Sequence, residues 1–504
     1  MTETAPTRFV IAGGGTAGWM SAATLARFAP PGTSITLVES DAIGTVGVGE
    51  ATIPQFHLLH RALGIDEQEL MRATKASFKL GIAFDGWLRE GHSYIHAFGP
   101  VGRASGLMPF HQLWLRARQA GFAKEPGAYS LNAVAARAGR MRRGPAGRGQ
   151  EMPYAYHFDA GLYAAFLREY SEKRGVTRME GTIASVSRDG ESGDIAALDL
   201  ESGERIEGNF FIDCTGFRAL LIEDTLEAGF EDWTHYLPCD RAMAAQCEQG
   251  GEFIPYTRSM AHRAGWQWRI PLQHRIGNGL VYASSHMSDD EASATLLANL
   301  DGEAPADPRP IHFTTGKRRE HWKGNCLAVG LSAGFMEPLE STSIHLIQSA
   351  ISRFLTVLPQ GSGEQSTRDW FNAQARFEWE RIRDFLVLHY RANERIGEPF
   401  WDAVRTMDLP ETLAAKLEQW RATGLIHREH EELFTEVGWF QVLAGQGVEP
   451  NSHNPIADAL PEADLRKLLE QVEAITAQQV NSMATHQDFL QSYIGGRARP
   501  EVTA

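Results

Sequence analysis

Thiols are scarce in this chain of 504 residues. Its four cysteines, Cys214, Cys239, Cys247 and Cys326, form no CxxC pair, and no Cys/His cluster has zinc-ligand spacing. A disulfide framework and a metal site are therefore not expected, and the thiols read as structural ones in a reducing compartment. Long apolar runs are missing too. No stretch reaches the roughly 18 apolar residues a membrane span needs. The opening MTETAPTRFVIAGGG has no basic region followed by an apolar segment and a cleavage site. A cytoplasmic location is the default expectation. Positive charge is in deficit: 48 Lys and Arg face 63 Asp and Glu, a net charge of −15. Phosphate affinity needs a basic surface, so neither nucleic acid nor an anionic membrane is an expected partner. What is present is ordinary for a globular protein. Hydrophobic residues make up 43% and charged residues 22%, which excludes disorder and coiled coil and suits a small-molecule substrate.

Residues 8–12 form a short apolar run that stops at glycines, the pattern of a buried parallel strand. Residues 17–28 read as an alanine-rich helix, and residues 34–39 as a second, β-branched strand. The opening is thus a βαβ unit. Two distant runs read as strands of the same sheet: 209–213, leading into Cys214-Thr215-Gly216, and 325–330, leading into Leu331-Ser332-Ala333-Gly334. The expected fold is α/β, with a Rossmann-like core assembled from interleaved segments. Residues 137–150, with five arginines, read as a solvated loop, and residues 360–366 as a linker. Helical periodicity follows, from Trp370 to Tyr390 and from Pro461 to Ile475.

Gly13, Gly15 and Gly18, with Thr16 and Ala17 between the last two, satisfy GxGxxG. The first glycine permits the tight turn and the second lets backbone approach a pyrophosphate. The third lets helix pack on strand, with the helix N-terminus towards the anion. Glu39 ends the next strand, where a carboxylate can bind ribose hydroxyls; it argues against a 2′-phosphate and so against NADP. Asp213-Cys214-Thr215-Gly216 resembles the second glycine motif of FAD oxidoreductases, and the strand ending near Gly330 resembles their third flavin contact. FAD is therefore the expected cofactor.

Trp266-x-Trp268-x-Ile270-Pro271 has period two, so on a strand both indoles and Ile270 share one face. Such an apolar wall could keep an organic substrate away from a flavin; from spacing alone it could equally be a core strand. The segment matches the WxWxIP signature of flavin-dependent halogenases of the tryptophan/indole type, and the resemblance runs from about residue 8 to residue 445. Gly47 to Pro54 is similar to the family's flavin-side loop, with Gly49 and Ala51 as cofactor contacts. Phe78-Lys79-Leu80-Gly81 resembles the segment of its essential lysine. Phe335 to Thr342 resembles the segment of its glutamate and halide site, and Asp384 to Tyr390 also looks familial.

The resemblance implies that reduced FAD and oxygen convert halide to hypohalous acid, which reacts at a separate aromatic site. Lys79 would hydrogen-bond the acid or form a haloamine. Glu340, supported by Ser341, would stabilise the cationic ring and take its proton. The amides of Thr342 and Ser343 would bind halide at a helix N-terminus, with Ile344 against the flavin. Ser343 departs from the family's glycine, and a preference for bromide over chloride is expected. Each residue also has a plainer reading: a surface lysine, a helix N-terminal acid, a structural histidine.

His96 and Phe98 match family positions bordering the indole pocket. Trp439 and Phe440 stand where free-tryptophan halogenases carry paired tyrosines, so an arene such as indole is expected to be preferred over free tryptophan. Only one dinucleotide turn is evident, which implies a separate flavin reductase as partner. Family members are often dimers, and a homodimer is compatible with the chain. Rival readings are a flavin monooxygenase that hydroxylates directly and a non-catalytic redox sensor. The expected segmentation is 1–75 for the first FAD segment and 76–175 for a substrate-facing insertion. Residues 176–355 continue the core with the WxWxIP strand, and 356–504 form a helical substrate module.

Overall fold

The structure, a computed structural model, describes residues 7–43, 49–143, 152–358 and 364–495. Gly47 and Val48 of the flavin-side loop, part of the arginine-rich stretch and part of the linker lie outside these residues. The chain forms two compact units: residues 1–75, 158–234 and 313–380 make the first, and residues 76–157, 235–312 and 381–504 the second.

The first unit is built on a six-stranded sheet. Its spatial order is Trp322–Lys323, Cys326–Ala328, Phe210–Asp213, Arg8–Ala12, Ser34–Glu39 and Thr177–Glu180. Five strands run parallel, and only the two-residue strand Trp322–Lys323 is antiparallel. Arg8–Ala12 sits in the middle and is buried from Phe9 onward, as its unbroken apolar run requires. The helix Thr16–Phe28 follows it directly, so strand, glycine turn and helix fall where the sequence puts them. The two distant runs are the strands Phe210–Asp213 and Cys326–Ala328. The interleaved core is therefore real: neighbouring strands come from three separated stretches.

The second unit contains a seven-stranded sheet. Its order is Arg309–His312, Arg241–Cys247, Ile276–Tyr282, Gly265–Pro271, Thr257–His262, Gly81–Asp85 and Ser93–Ala97. The WxWxIP strand, Gly265–Pro271, is paired on both sides and every residue of it is buried. Its second face is polar, and Arg269 on it donates to Asp301 and to the carbonyl of Glu252. The segmentation read from sequence groups this strand with the core, whereas the chain packs it in the second unit, beside Gly81–Asp85. Helices Pro399–Thr406, Glu411–Thr423, Glu436–Gly445, Glu462–Asn481 and His486–Gly495 also belong to the unit. Among the described residues no helix is long and apolar enough to cross a membrane, and no cluster of side chains is suited to a metal ion.

Candidate active site

The first unit carries the nucleotide side. Gly13 lies at φ +106°, and a Cβ on it would meet the Cys214 carbonyl oxygen at 2.2 Å. A Cβ on Gly14 would lie 1.4 Å from Glu39 Oε2, so the Glu39 carboxylate stands over the turn. Gly15 differs: nothing lies within 4 Å of where its Cβ would project. It caps the helix Thr16–Phe28 without a side-chain hydrogen bond, leaving the first amides and the positive helix end directed at that space. This is the cradle a pyrophosphate needs, so the residues fit a dinucleotide. Glu39 Oε1 accepts from Arg178 Nε at 2.6 Å and Oε2 from Trp19 Nε1 at 3.4 Å. These partners hold the predicted ribose-binding carboxylate in place.

Asp213 ties its own loop together. Burial raises its pKa, and donors from Thr215, Leu221 and Ile222 at 2.7–2.9 Å oppose the rise. Gly330 brings the third segment home. It lies at φ +76°, and a Cβ there would approach that of Ala17 at 2.8 Å. Gly49 and Ala51 lie on the buried strand Gly49–Ala51. Between them is Glu50, to which sequence reasoning gave no role; burial pushes its carboxyl up to about 7.

The segment expected to hold halide is a strained turn followed by a helix. Pro338–Glu340 form one 3-10 turn, and Ser341 follows at φ +60°, a conformation that L side chains rarely adopt. Glu337, Glu340, Ser341 and Thr342 are all buried. Thr342 opens the helix Ser343–Leu355, and its own buried hydroxyl has no hydrogen-bond partner among the described residues. A polar hydrogen at a helix N-terminus suits a small anion. Ile344 is buried in the first turn. Glu378 secures this helix from the neighbouring one, Gln365–Arg391, meeting His345 at 3.1 Å, Ser349 at 2.8 Å and Arg353 at 2.7 Å. Burial alone would raise the Glu378 carboxyl, but His345 and Arg353 hold it at about 2.

The second unit carries the lysine and the aromatic side. Lys79 ends the strand Ser77–Lys79 and has 0% exposure, so the surface reading fails. Its Nζ lies 5.4 Å from the centre of the Phe98 ring, which brings two predicted residues together. His96 is buried, with its ring 5.6 Å from Phe385 and 6.3 Å from Phe434. Trp439 meets Phe385 edge-on at 4.9 Å, so it joins the same aromatic cluster. Phe440 turns elsewhere, onto Trp114 at 5.2 Å and His111 at 5.9 Å.

Trp266 and Trp268 share a face at 6.1 Å, as period two requires. Ile270 and Pro271 are buried with them. Gly279, opposite Trp268 in register, makes room for the indole, since a Cβ there would lie 2.1 Å from its ring.

Sequence reasoning missed the supports of this half. Gln441 accepts from the Ala97 amide at 3.1 Å and donates to its carbonyl at 3.0 Å, fastening the helix Glu436–Gly445 to the strand Ser93–Ala97. Glu432 accepts from Trp439 Nε1 at 3.3 Å and from Lys416 at 3.0 Å, while the Lys416 ammonium lies 4.7 Å from the Trp439 ring centre. No local pattern marks these residues.

A family model described as Tryptophan halogenase matches residues 8–462. The chain is similar to Tryptophan 6-halogenase SttH of Streptomyces toxytricini, 37% identical over 441 residues that cover 82% of this chain and 84% of that protein. Among solved structures it is similar to Xcc4156, a flavin-dependent halogenase from Xanthomonas campestris. The identity is 47% and the TM-score 0.94, covering 98% of this chain and 100% of the other. It is also similar to BrvH, a flavin-dependent halogenase from Brevundimonas sp. BAL3, at 43% identity and a TM-score of 0.93, with 97% and 99% covered.

Proposed function

We propose that this chain, which belongs to the tryptophan halogenase family, is a flavin-dependent halogenase that brominates an electron-rich arene such as indole in preference to free tryptophan. FAD, reduced by a separate flavin reductase, supplies with oxygen the oxidising power that turns halide into hypohalous acid. The remaining work falls to the chain. Thr342 and Ser343 hold the halide at the head of their helix. Lys79 hydrogen-bonds the hypohalous acid and polarises its halogen. Glu340 stabilises the cationic ring and takes the displaced proton. His96, Phe98 and Trp439 border the aromatic substrate.

The reading is carried by Lys79: one amine without solvent exposure, beside the Phe98 ring. Lysine is mostly a surface residue, so a wholly buried amine at the position of the family's lysine supports a functional role. Preference for an uncharged arene is supported by the helix Glu436–Gly445. Its buried polar side chains are already engaged, Trp439 by Glu432 and Gln441 by Ala97. A zwitterion would find no phenol there to replace its water. Bromide is favoured because it is larger, less hydrated and more easily oxidised than chloride, beside a Ser343 side chain that changes the volume at the ion.

The test is mass spectrometry of product formed with FAD, a flavin reductase, NADH and equimolar bromide and chloride. Indole and tryptophan are supplied in parallel. Monobrominated indole should dominate. Faster turnover of tryptophan would overturn the substrate assignment, and mainly chlorinated product would overturn the halide assignment.

A further inference from the structure

We infer that His157 is a positioning residue for Lys79, acting as a neutral imidazole whose tautomer is set by Ser77 and Thr257. The inference rests on the role proposed for Lys79 and concerns how the second unit holds that amine.

The strand Ser77–Lys79 pairs antiparallel with the strand Ala155–Asp159, placing Ser77 opposite His157 and Lys79 opposite Ala155. Ser77 and Lys79 are two residues apart and share a face, so the imidazole across from Ser77 is diagonal to the lysine. Ser77 Oγ donates to the Pro271 carbonyl at 2.5 Å. Its one proton is spent there, so its 3.1 Å contact with His157 Nδ1 is a bond that Ser77 accepts. Nδ1 therefore carries the hydrogen. Nε2 is left as an acceptor, and the Thr257 hydroxyl donates to it at 2.8 Å. Ser77, His157 and Thr257 all have negligible or low exposure.

This chain of bonds ties the lysine strand to two others. Pro271 closes the WxWxIP strand, and Thr257 opens the strand beside it. A second imidazole fastens the next residue: the Phe78 amide donates to His486 Nε2 at 3.2 Å, and His486 Nδ1 bonds the Phe253 carbonyl at 3.0 Å. Both imidazoles must be neutral to offer these acceptors. The groups that face His157 agree. Burial, then Lys79, His486 and Arg269, disfavour a proton on it. A neutral imidazole gives two directional anchors without adding a positive charge beside the Lys79 amine. Asparagine could supply only the Nδ1-like donor, and phenylalanine neither anchor.

The test uses the full-length enzyme with reduced FAD, bromide and indole or tryptophan. Three quantities are followed: halogenated product per flavin oxidised, the pH dependence of that ratio, and the melting temperature. Thr257→Val removes the donor to Nε2, so His157 protonates more readily. The acid limb of product formation should move up by about one pH unit, and melting near pH 8 should fall because the buried Nε2 loses its donor. Thr257→Ser keeps the hydroxyl and should keep the wild-type profile. His157→Asn should give about tenfold more product per flavin oxidised than His157→Phe. Identical pH profiles for Thr257→Val and Thr257→Ser, or a wild-type product ratio in His157→Phe, would overturn the inference. If His157→Phe does not fold, the Thr257 pair decides alone. Lys79→Ala separates the two levels. If it still halogenates normally, the lysine assignment falls. If it is inactive while the His157 and Thr257 variants behave as wild type, only the inference falls.

Discussion

A lysine withdrawn from solvent is held by its surroundings, so Lys79→Ala is the most informative single change. It should cut halogenated product by about a hundredfold or more, the usual weight of one positioned acid–base group. Oxidation of reduced flavin should continue, which stopped-flow absorbance would follow. A direct hydroxylation would survive the change, and oxygenated product from Lys79→Ala would revive that reading. Glu340→Gln keeps the shape but removes the base, and should lower the product rate by a similar factor with little change in melting. Gly279 tests the wall from behind. With the indole of Trp268 2.1 Å from its missing Cβ, Gly279→Val should overpack the sheet by about 1–3 kcal/mol and lower the melting temperature. At this scale the sequence was legible where a residue sits in a short pattern, as Lys79, Trp266 and Trp268 do. It was silent where the partner is remote: Gln441 and Ala97 are 344 positions apart, and His157 and Thr257 are 100 apart.

Elements tell the same story through their periods. The strands Arg8–Ala12 and Ser34–Glu39 and the helix between them were readable because apolar runs and glycines punctuate them. The edge strand Thr177–Glu180 was not, because its half-exposed, polar residues show no such run. The helix Ser343–Leu355 was expected, but its clamp on Glu378 was not, since His345, Ser349 and Arg353 look like an ordinary polar stripe until the second helix is in place. The helix Glu436–Gly445 offers a test of fastening. Gln441→Leu deletes two hydrogen bonds to Ala97 and leaves its amide and carbonyl buried without those partners. We expect KM for the aromatic substrate to rise about tenfold, with flavin oxidation unchanged. Steady-state kinetics on both signals would check it.

For the molecule as a whole, pH is the revealing variable. Burial, first among the causes, pushes His60 and His321 down to about 3, and His111 and His486 down to about 4. The unfolded chain takes up protons at these sites near pH 6.5, and the folded chain does not. Their contribution is therefore complete above pH 6.5 and is lost as pH falls towards 4. At pH 5 each histidine costs about 2 kcal/mol. Glu50 works the other way: its carboxyl, raised to about 7, favours the folded state more as pH falls, returning at most about 3 kcal/mol. The histidines win, and melting at pH 5 should lie roughly 5–10 °C below that at pH 7.5 by calorimetry. A melting temperature that rises on acidification would contradict this balance.

The interleaved path has its own consequence during synthesis. The strand Cys326–Ala328 belongs beside Phe210–Asp213, yet more than a hundred residues, including all of 235–312, leave the ribosome between them. Through that interval the nascent sheet has an open flank, a template for wrong pairing. No contiguous fragment ending before residue 326 can close it, so truncated genes should yield aggregates rather than a separable nucleotide-binding half.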